Sequence, residues 1–355
     1  MFLRATPRIV LPALVGLHLV VLLAGFFAPY DFASQNRMLP FAPPTRIHII
    51  DSQGKLHARP FIYQWKATAE GVPQYKEDHS AVFPIRFFVS VPRYEIVGIV
   101  GFRWRLFGVE TPARIFLLGS DAYGRDQLSR LLYGGQISLF AGPLATVISL
   151  SLGILLGATA GYYGSWIDEV LMRFAEVFLA LPWLYLLFAV RAFLPMHAGP
   201  NQIFILLIVV IGVIGWARPA RLIRGIALSA REREYVLAAK SFGASDAYIL
   251  RRHILPQVSG VALTQAALLI PRYVLAEVTL SFLGLGVAEP APSWGNMLAA
   301  LQHYEIIGSY WWMSLPALAL IPVFLAYYSL LAYYTVQDSS ISEAIWKHRE
   351  GFRPI

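Results

Sequence analysis

Two ionisable residues, Arg272 and Glu277, stand inside the apolar run 258–286, with Ser281 one helical turn further on. Charge in a lipid-facing segment is costly, so such residues line transport pathways or hold helices together. Five positions apart, Arg272 and Glu277 do not share one face of a straight helix, but Pro271 interrupts the run. Arg272, Glu277 and Ser281 are therefore candidates for a translocation pathway, with a structural or interfacial role as the competing reading. Arg173 and Glu176, three residues apart, are spaced for a local ion pair. His18 is alone in its run, so a metal is not expected there. Other chemistries lack their residues. With no cysteine there is no disulfide, thiolate metal site or cysteine nucleophile. The eight histidines are scattered, and His-Glu-x-x-His and Gly-x-Ser-x-Gly are absent. No Gly-x-x-x-x-Gly-Lys-Ser/Thr occurs, so the phosphate-cradling loop of P-loop ATPases is missing. An enzyme is not expected.

The elements that must carry these residues follow from composition. The chain of 355 residues is 57% hydrophobic and 14% charged, where soluble domains carry about 25% charge. Lipid is the expected solvent for most of it. A helix needs about 20 apolar residues to cross a bilayer. The runs predict six spans: 9–29, 136–161, a third from near Glu169 to 190, 203–217, 258–286 and 311–335. The first run is longer than the apolar core of a signal peptide and reads as an uncleaved helix. Trp311 and Trp312 fit an interfacial aromatic belt. The bias of Lys and Arg in short loops puts both termini on the cytoplasmic side. Arg4, Arg8, the loop 218–257 and a tail with Lys347, Arg349 and Arg353 all fall there. The predicted organisation is a stub and first helix (1–30), an outside segment (31–133), a five-helix core (134–336) and a cytoplasmic tail (337–355). Within the outside segment, 47–50 and 56–62 predict a hairpin about Asp51-Ser52-Gln53-Gly54, and 85–91 with 94–100 a second pair about Pro92. This β-rich module either packs on the membrane part or meets a soluble partner.

The loop 218–257 is the most informative stretch. It holds Arg218, Arg221, Arg224, Arg231, Arg233, Lys240, Arg251 and Arg252 against Glu232, Glu234 and Asp246. Residues 229–242 predict a helix that ends at Gly243, a good residue for a left-handed stop. Ser245 can cap a second helix, which Pro256 stops. Ala238, Ala239 and Gly243 are small enough for another surface to approach closely. A docking turn and an amphipathic hairpin on anionic lipid both fit. Nucleic acid does not, because the loop is tethered to the bilayer at both ends.

The run Tyr235-Val-Leu-Ala-Ala-Lys-Ser-Phe-Gly-Ala-Ser-Asp, followed by Arg252-His-Ile-Leu-Pro256, resembles the cytoplasmic loop of ABC importer permeases. Ala238, Ala239, Gly243, Leu255 and Pro256 fall in its register. Leu237 stands where the broader pattern has Glu, and His253 where it has Ile; both departures are similar to the peptide/nickel branch. Leu118-Gly-Ser-Asp-Ala-Tyr-Gly-Arg-Asp126, Gly161-Tyr-Tyr-Gly-Ser-Trp-Ile-Asp168, Glu277-Val-Thr-Leu-Ser-Phe-Leu-Gly-Leu-Gly286 and Pro292-Ser-Trp-Gly-Asn-Met297 are similar to segments of that branch in the same order. The likeness is dense over 118–335 and is to the C-type permease of dipeptide/oligopeptide importers. It implies an all-α polytopic membrane fold, the ABC importer permease fold, with a small β-rich insertion after the first helix. It also implies a second homologous permease, two ABC ATPase subunits that hold ATP and Mg, and an extracytoplasmic solute-binding protein, all in the inner membrane system of a prokaryote. No cofactor is implied in this chain. ATPase coupling is expected at Ala238, Ala239, Gly243, Ala244, Ser245, Asp246, Leu255 and Pro256. A secondary transporter without an ATPase and a nickel-chelate importer are the alternatives.

Overall fold

The structure is a computed structural model that describes residues 7–68, 74–96, 100–192 and 199–350. Arg4 and Arg353 lie outside the described residues. In chain order the elements are α1 (Pro7–Leu22), α2 (Ala24–Phe27), β1 (His48–Ile50), β2 (Leu56–Ala67), β3 (Tyr75–Pro84), β4 (Arg86–Ile96), β5 (Val100–Gly108), α3 (Gln127–Tyr163), α4 (Ser165–Ala180), α5 (Trp183–Ala192), α6 (Pro200–Gly215), α7 (Ala217–Arg231), α8 (Glu234–Ser241), α9 (Asp246–Ile249), a π-helical turn (Leu250–Ile254), α10 (Leu255–Phe282), α11 (Trp294–Ala299), α12 (Tyr304–Ser309) and α13 (Leu315–Glu350). They form two compact units, one of Met1–Leu14, Ala141–Glu277 and Pro322–Ile355, the other of Val15–Phe140 and Val278–Ile321.

Among the described residues three helical stretches are long and apolar enough to cross a bilayer: α3, Asp246–Phe282 and Trp311–Tyr333. The pairs α4–α5 and α6–α7 reach that length only together, bent by 90° and 43°, and α1 is a shorter apolar helix. Leu144, Val147 and Leu155 on α3, Leu263, Leu268 and Leu275 on α10, and Leu318, Ile321 and Leu325 on α13 are exposed. Helices this apolar on their outer faces suit a solvent other than water.

Two proline expectations are corrected, those for Pro271 and Pro256, and a further proline breaks the third run. The third run is broken at Leu181-Pro182, where Leu181 is extended (ψ 135°), as the residue before a proline must be to clear its ring. By contrast, α10 runs through Pro271 without interruption. Pro256 does not stop a helix either: the helical stretch Asp246–Phe282 runs on through it, directly after the π-helical turn, where Leu255 N–H reaches back to the Leu250 carbonyl. A proline inside a helix removes one N–H and crowds the turn before it, and here the turn before it is the wider π-helical one. The ion pair expected between Arg173 and Glu176 is instead Arg173 with Glu169, one helical turn back, at 3.5 Å and fully on the surface.

The expected loop at 218 also begins later. Residues 217–231 are α7, seated along α3 over a row of glycines. A Cβ on Gly153 would stand 2.7 Å from the Pro219 side chain, on Gly157 2.4 Å from the Ala220 carbonyl oxygen, and on Gly161 2.5 Å from the Arg224 carbonyl oxygen. Only glycine at this four-residue spacing lets the two backbones meet. Arg224 locks the far end by a two-pronged bond to Asp168.

In the second unit, β1, β2 and β3 form an antiparallel sheet and β4 and β5 a hairpin. The turn Asp51–Lys55 joins β1 to β2, with Asp51 Oδ1 accepting from the Gln53 and Lys55 amides. Phe61, Ile62, Tyr63 and Trp65 of β2 are buried; three in succession are possible because the ladder shifts register between Ile62 and Gln64. Strand β3 was not anticipated. Pro92 is not a turn: β4 passes through it, and the β4–β5 register shifts between Ser90 and Tyr94. A residue with no N–H sits without penalty where the ladder is already interrupted. The turn between β4 and β5 lies outside the described residues.

Candidate functional site

The segment between α7 and α10 is built by a stop signal followed at once by a start signal. Helix α8 ends in a left-handed turn: Gly243 N–H donates to the Lys240 carbonyl and Ala244 N–H to the Ala239 carbonyl, both at 3.0 Å. This paired closure needs a residue at positive φ, and Gly243 has φ +81°. A Cβ there would meet nothing within 4 Å. Close packing inside the chain is therefore not the reason for the glycine; its backbone angle is. Ser245 then opens α9 by accepting from the Tyr248 amide at 3.3 Å. The spacing Ala239, Gly243, Ala244, Ser245 is thus a helix–turn–helix instruction at the level of backbone hydrogen bonds.

One side of this turn is anchored. Val236, Ile249 and Ile254 are buried with Tyr162, Ala227 and Ala230, and Ala244 and Leu250 pack on them. The Tyr162 hydroxyl donates to Asp246 Oδ1 at 2.5 Å, and Arg231 reaches the Gly161 and Tyr162 carbonyls at 3.4 Å. Gln257 bonds the Tyr235 hydroxyl and the His253 carbonyl, tying the two ends of the turn together. The other side is open. Ala238, Gly243, Ser245, Leu255 and Pro256 are exposed, and Leu237, Tyr248 and above all Phe242, 91% exposed, add apolar surface. Reading for small residues missed Phe242; its signal was a large apolar side chain placed next to a helix-ending glycine, where it cannot fold back into its own helix. With α7 removed from the loop, Arg233, Lys240, Arg251 and Arg252 face Glu232, Glu234 and Asp246, so the turn itself is nearly neutral.

The pathway candidates are not brought together. Arg272 sits over the Trp183 ring, 4.9 Å from its centroid, and borders two cavities of about 260 and 310 Å³ that Arg218 also borders. Glu277 and Ser281 are fully buried and line neither. Ser281 is hemmed in by Gly286 and Gly295, where a Cβ would approach its side chain to 1.8 and 2.6 Å. Trp312 does not belong to an interfacial belt. It is buried, donates its indole N–H to the Ser120 carbonyl at 2.9 Å and covers Gly119, which has φ +77°; Trp311 alone is exposed.

Within the second unit the motif at 118–126 is tied to Glu289, in the segment that leads into the motif at 292–297. Asp121 accepts from the Tyr123 and Arg125 amides and from Arg125 Nε at 2.6 Å. Glu289 accepts from Arg125 at 2.5 Å and Arg130 at 2.8 Å. Asp121, Arg125 and Arg130 are almost completely buried. Asn296 donates to the Val287 and Ala291 carbonyls, and Trp294 donates to Ser138 and to the Leu131 carbonyl. Asp126 is buried as well and accepts from the Ser129 amide and hydroxyl at 2.7 and 2.6 Å. Burial pushes its carboxyl up to about 7, against the lowering effect of Ser129.

Residues 153–338 match the family model described as binding-protein-dependent transport system inner membrane component. Among curated relatives, the dipeptide transport system permease protein DppC of Bacillus subtilis is 40% identical over 201 residues, covering 57% of this chain and 61% of the relative. The oligopeptide transport system permease protein OppC of Bacillus subtilis is 36% identical, covering 54% and 63%, and OppC of Haemophilus influenzae 38%, covering 51% and 56%. The chain thus spans about three fifths of the length of the curated relatives it matches. A crystal structure of an amino acid ABC transporter with histidines aligns at TM-score 0.38 and 18% identity, covering 59% of this chain and 94% of that one.

Proposed function

The chain belongs to the family of binding-protein-dependent transport system inner membrane components, and from that premise we propose that it is the permease subunit of an ATP-driven ABC importer of di- or oligopeptides. The observation that carries this reading is the α8–Gly243–α9 turn, anchored on α3 and α7 through Tyr162 and Asp246 but presenting Phe242, Leu237 and Tyr248 outward. A mobile tether would dissipate a push; an anchored apolar knob transmits one. The turn docks in a groove of an ATPase subunit, which holds the ATP and Mg that this chain has no loop to bind. Closure of two such ATPases drives the turn, and this permease with a homologous second one rocks between inward-open and outward-open states. With six spans, counting α1 and each bent pair as one, both termini fall on the same side; the excess of Lys and Arg in the short loops supports the cytoplasm as that side, with residues 31–133 outside, beside an extracytoplasmic binding protein. The peptide substrate is supported by the names of DppC and OppC.

The test is reconstitution with the partner permease, the ATPases and the binding protein in vesicles, reading ATP-dependent uptake of labelled di- to oligopeptides. Gly243→Trp is expected to abolish uptake while the two permeases still assemble. Normal uptake by this variant would sink the coupling role, and no peptide uptake by the unaltered complex would sink the substrate.

A further inference from the structure

Arg218, at the start of α7, and Arg272, well inside α10, border the same pair of cavities, one completed by Pro182, Trp183 and Tyr273, the other by Gln265, Phe324 and Tyr328. No acidic side chain lines either cavity, and among the described residues neither arginine has a carboxylate within 4 Å. The Tyr273 hydroxyl beside the first cavity is already committed, donating to Ser149 at 2.9 Å. Arg272 is half-buried and its guanidinium lies over the Trp183 ring. Arg272, half-buried, has lost part of its hydration, whereas Arg218 keeps an exposed face, and two like charges bordering the same cavities repel each other. A planar anion that takes a fork from each offsets both costs.

We infer that Arg218 and Arg272 form a carboxylate subsite that receives the C-terminal carboxylate of the peptide in transit. This rests on the peptide reading given above. The terminal carboxylate is the one anionic group common to every peptide whatever its side chains, so a subsite built for it admits varied sequences. Cavities of about 260 and 310 Å³ suit the end of a peptide and not the whole of one.

The experiment uses the full reconstituted complex with two labelled probes, trialanine and its C-terminal amide. Uptake by Arg218→Gln, Arg272→Gln and the two Lys variants is expressed for each probe relative to the unaltered complex, which cancels any preference of the binding protein. Either Gln variant is expected to lower free-acid uptake roughly tenfold and to leave amide uptake within about twofold, with Lys restoring part of the loss. An equal fall for both probes, or unchanged free-acid uptake, overturns the subsite. A Gln variant that no longer assembles while its Lys counterpart does also overturns it, since the pair would then hold an acid of the neighbouring permease. If the unaltered complex takes up neither probe, it is the peptide reading that has failed.

Discussion

The motif at 118–126 and the motif at 235–246 resemble the same kind of protein, yet they are opposite in construction. In the first, Asp121, Arg125 and Arg130 are buried and every named group has its partner within the chain. In the second, the backbone is closed by Gly243 and Ser245, but Leu237, Phe242 and Tyr248 face outward with no covering. A motif satisfied from within holds its own chain together. A motif that closes its backbone and leaves apolar side chains outside is open to completion by another chain, as proposed for this one.

This contrast can be broken at its strong end first. Asp121→Ala leaves Arg125 and Arg130 buried with only Glu289, and removal of one member of a buried ion group costs about 3–5 kcal/mol. The variant is expected to accumulate poorly in the membrane, as read by immunoblot and thermal unfolding; wild-type levels and stability would show that the cluster is not structural. A smaller effect is expected at Asp126. Its carboxyl is held protonated up to about 7, above the ordinary value of 3.8, so the folded chain binds the proton more tightly than the unfolded one. Stability should therefore fall as pH rises from about 4 to 7 and stay low above that range. Asp126→Asn keeps an oxygen for Ser129 and should flatten that slope in the unfolding midpoints of the purified complex; an unchanged slope would assign it to another group. The smallest effect on stability is expected for Phe242→Ser, within about 0.5 kcal/mol as for other surface changes, together with a clear loss of ATPase retention in pull-down. Retained ATPase would remove Phe242 from the docking surface.

The glycine stop and serine start near 243 were legible because both act through local backbone hydrogen bonds, which residue type and spacing encode. The long apolar runs were legible for the same reason. What was not legible depended on partners distant in sequence. The seat of α7 on Gly153, Gly157 and Gly161 required knowing which helix lies opposite, so residues 218–231 read as a charged loop. The buried group of Asp121, Arg125, Arg130 and Glu289 joins residues about 160 positions apart, and Glu289 has no local pattern to mark it. The prolines misled in both directions. The ring of Pro182 acts on its neighbour Leu181 and bends the chain, whereas the helix carries on through Pro256 by way of the π-helical turn before it.

The seam between α3 and α7 has a mechanical character of its own. At Gly153, Gly157 and Gly161 one helix meets the other with no side chain of α3 between them. Ordinary packed joints have slack, because a leucine or methionine can change rotamer and absorb a small displacement before the neighbouring backbone feels it. This joint has no such cushion. A force applied to the turn at 234–254, which is fastened through Asp246 to Tyr162 at the end of the same seam, would pass from α7 to α3 as from one end of a stiff rod to the other. The stroke is shared by the two helices or is not made at all.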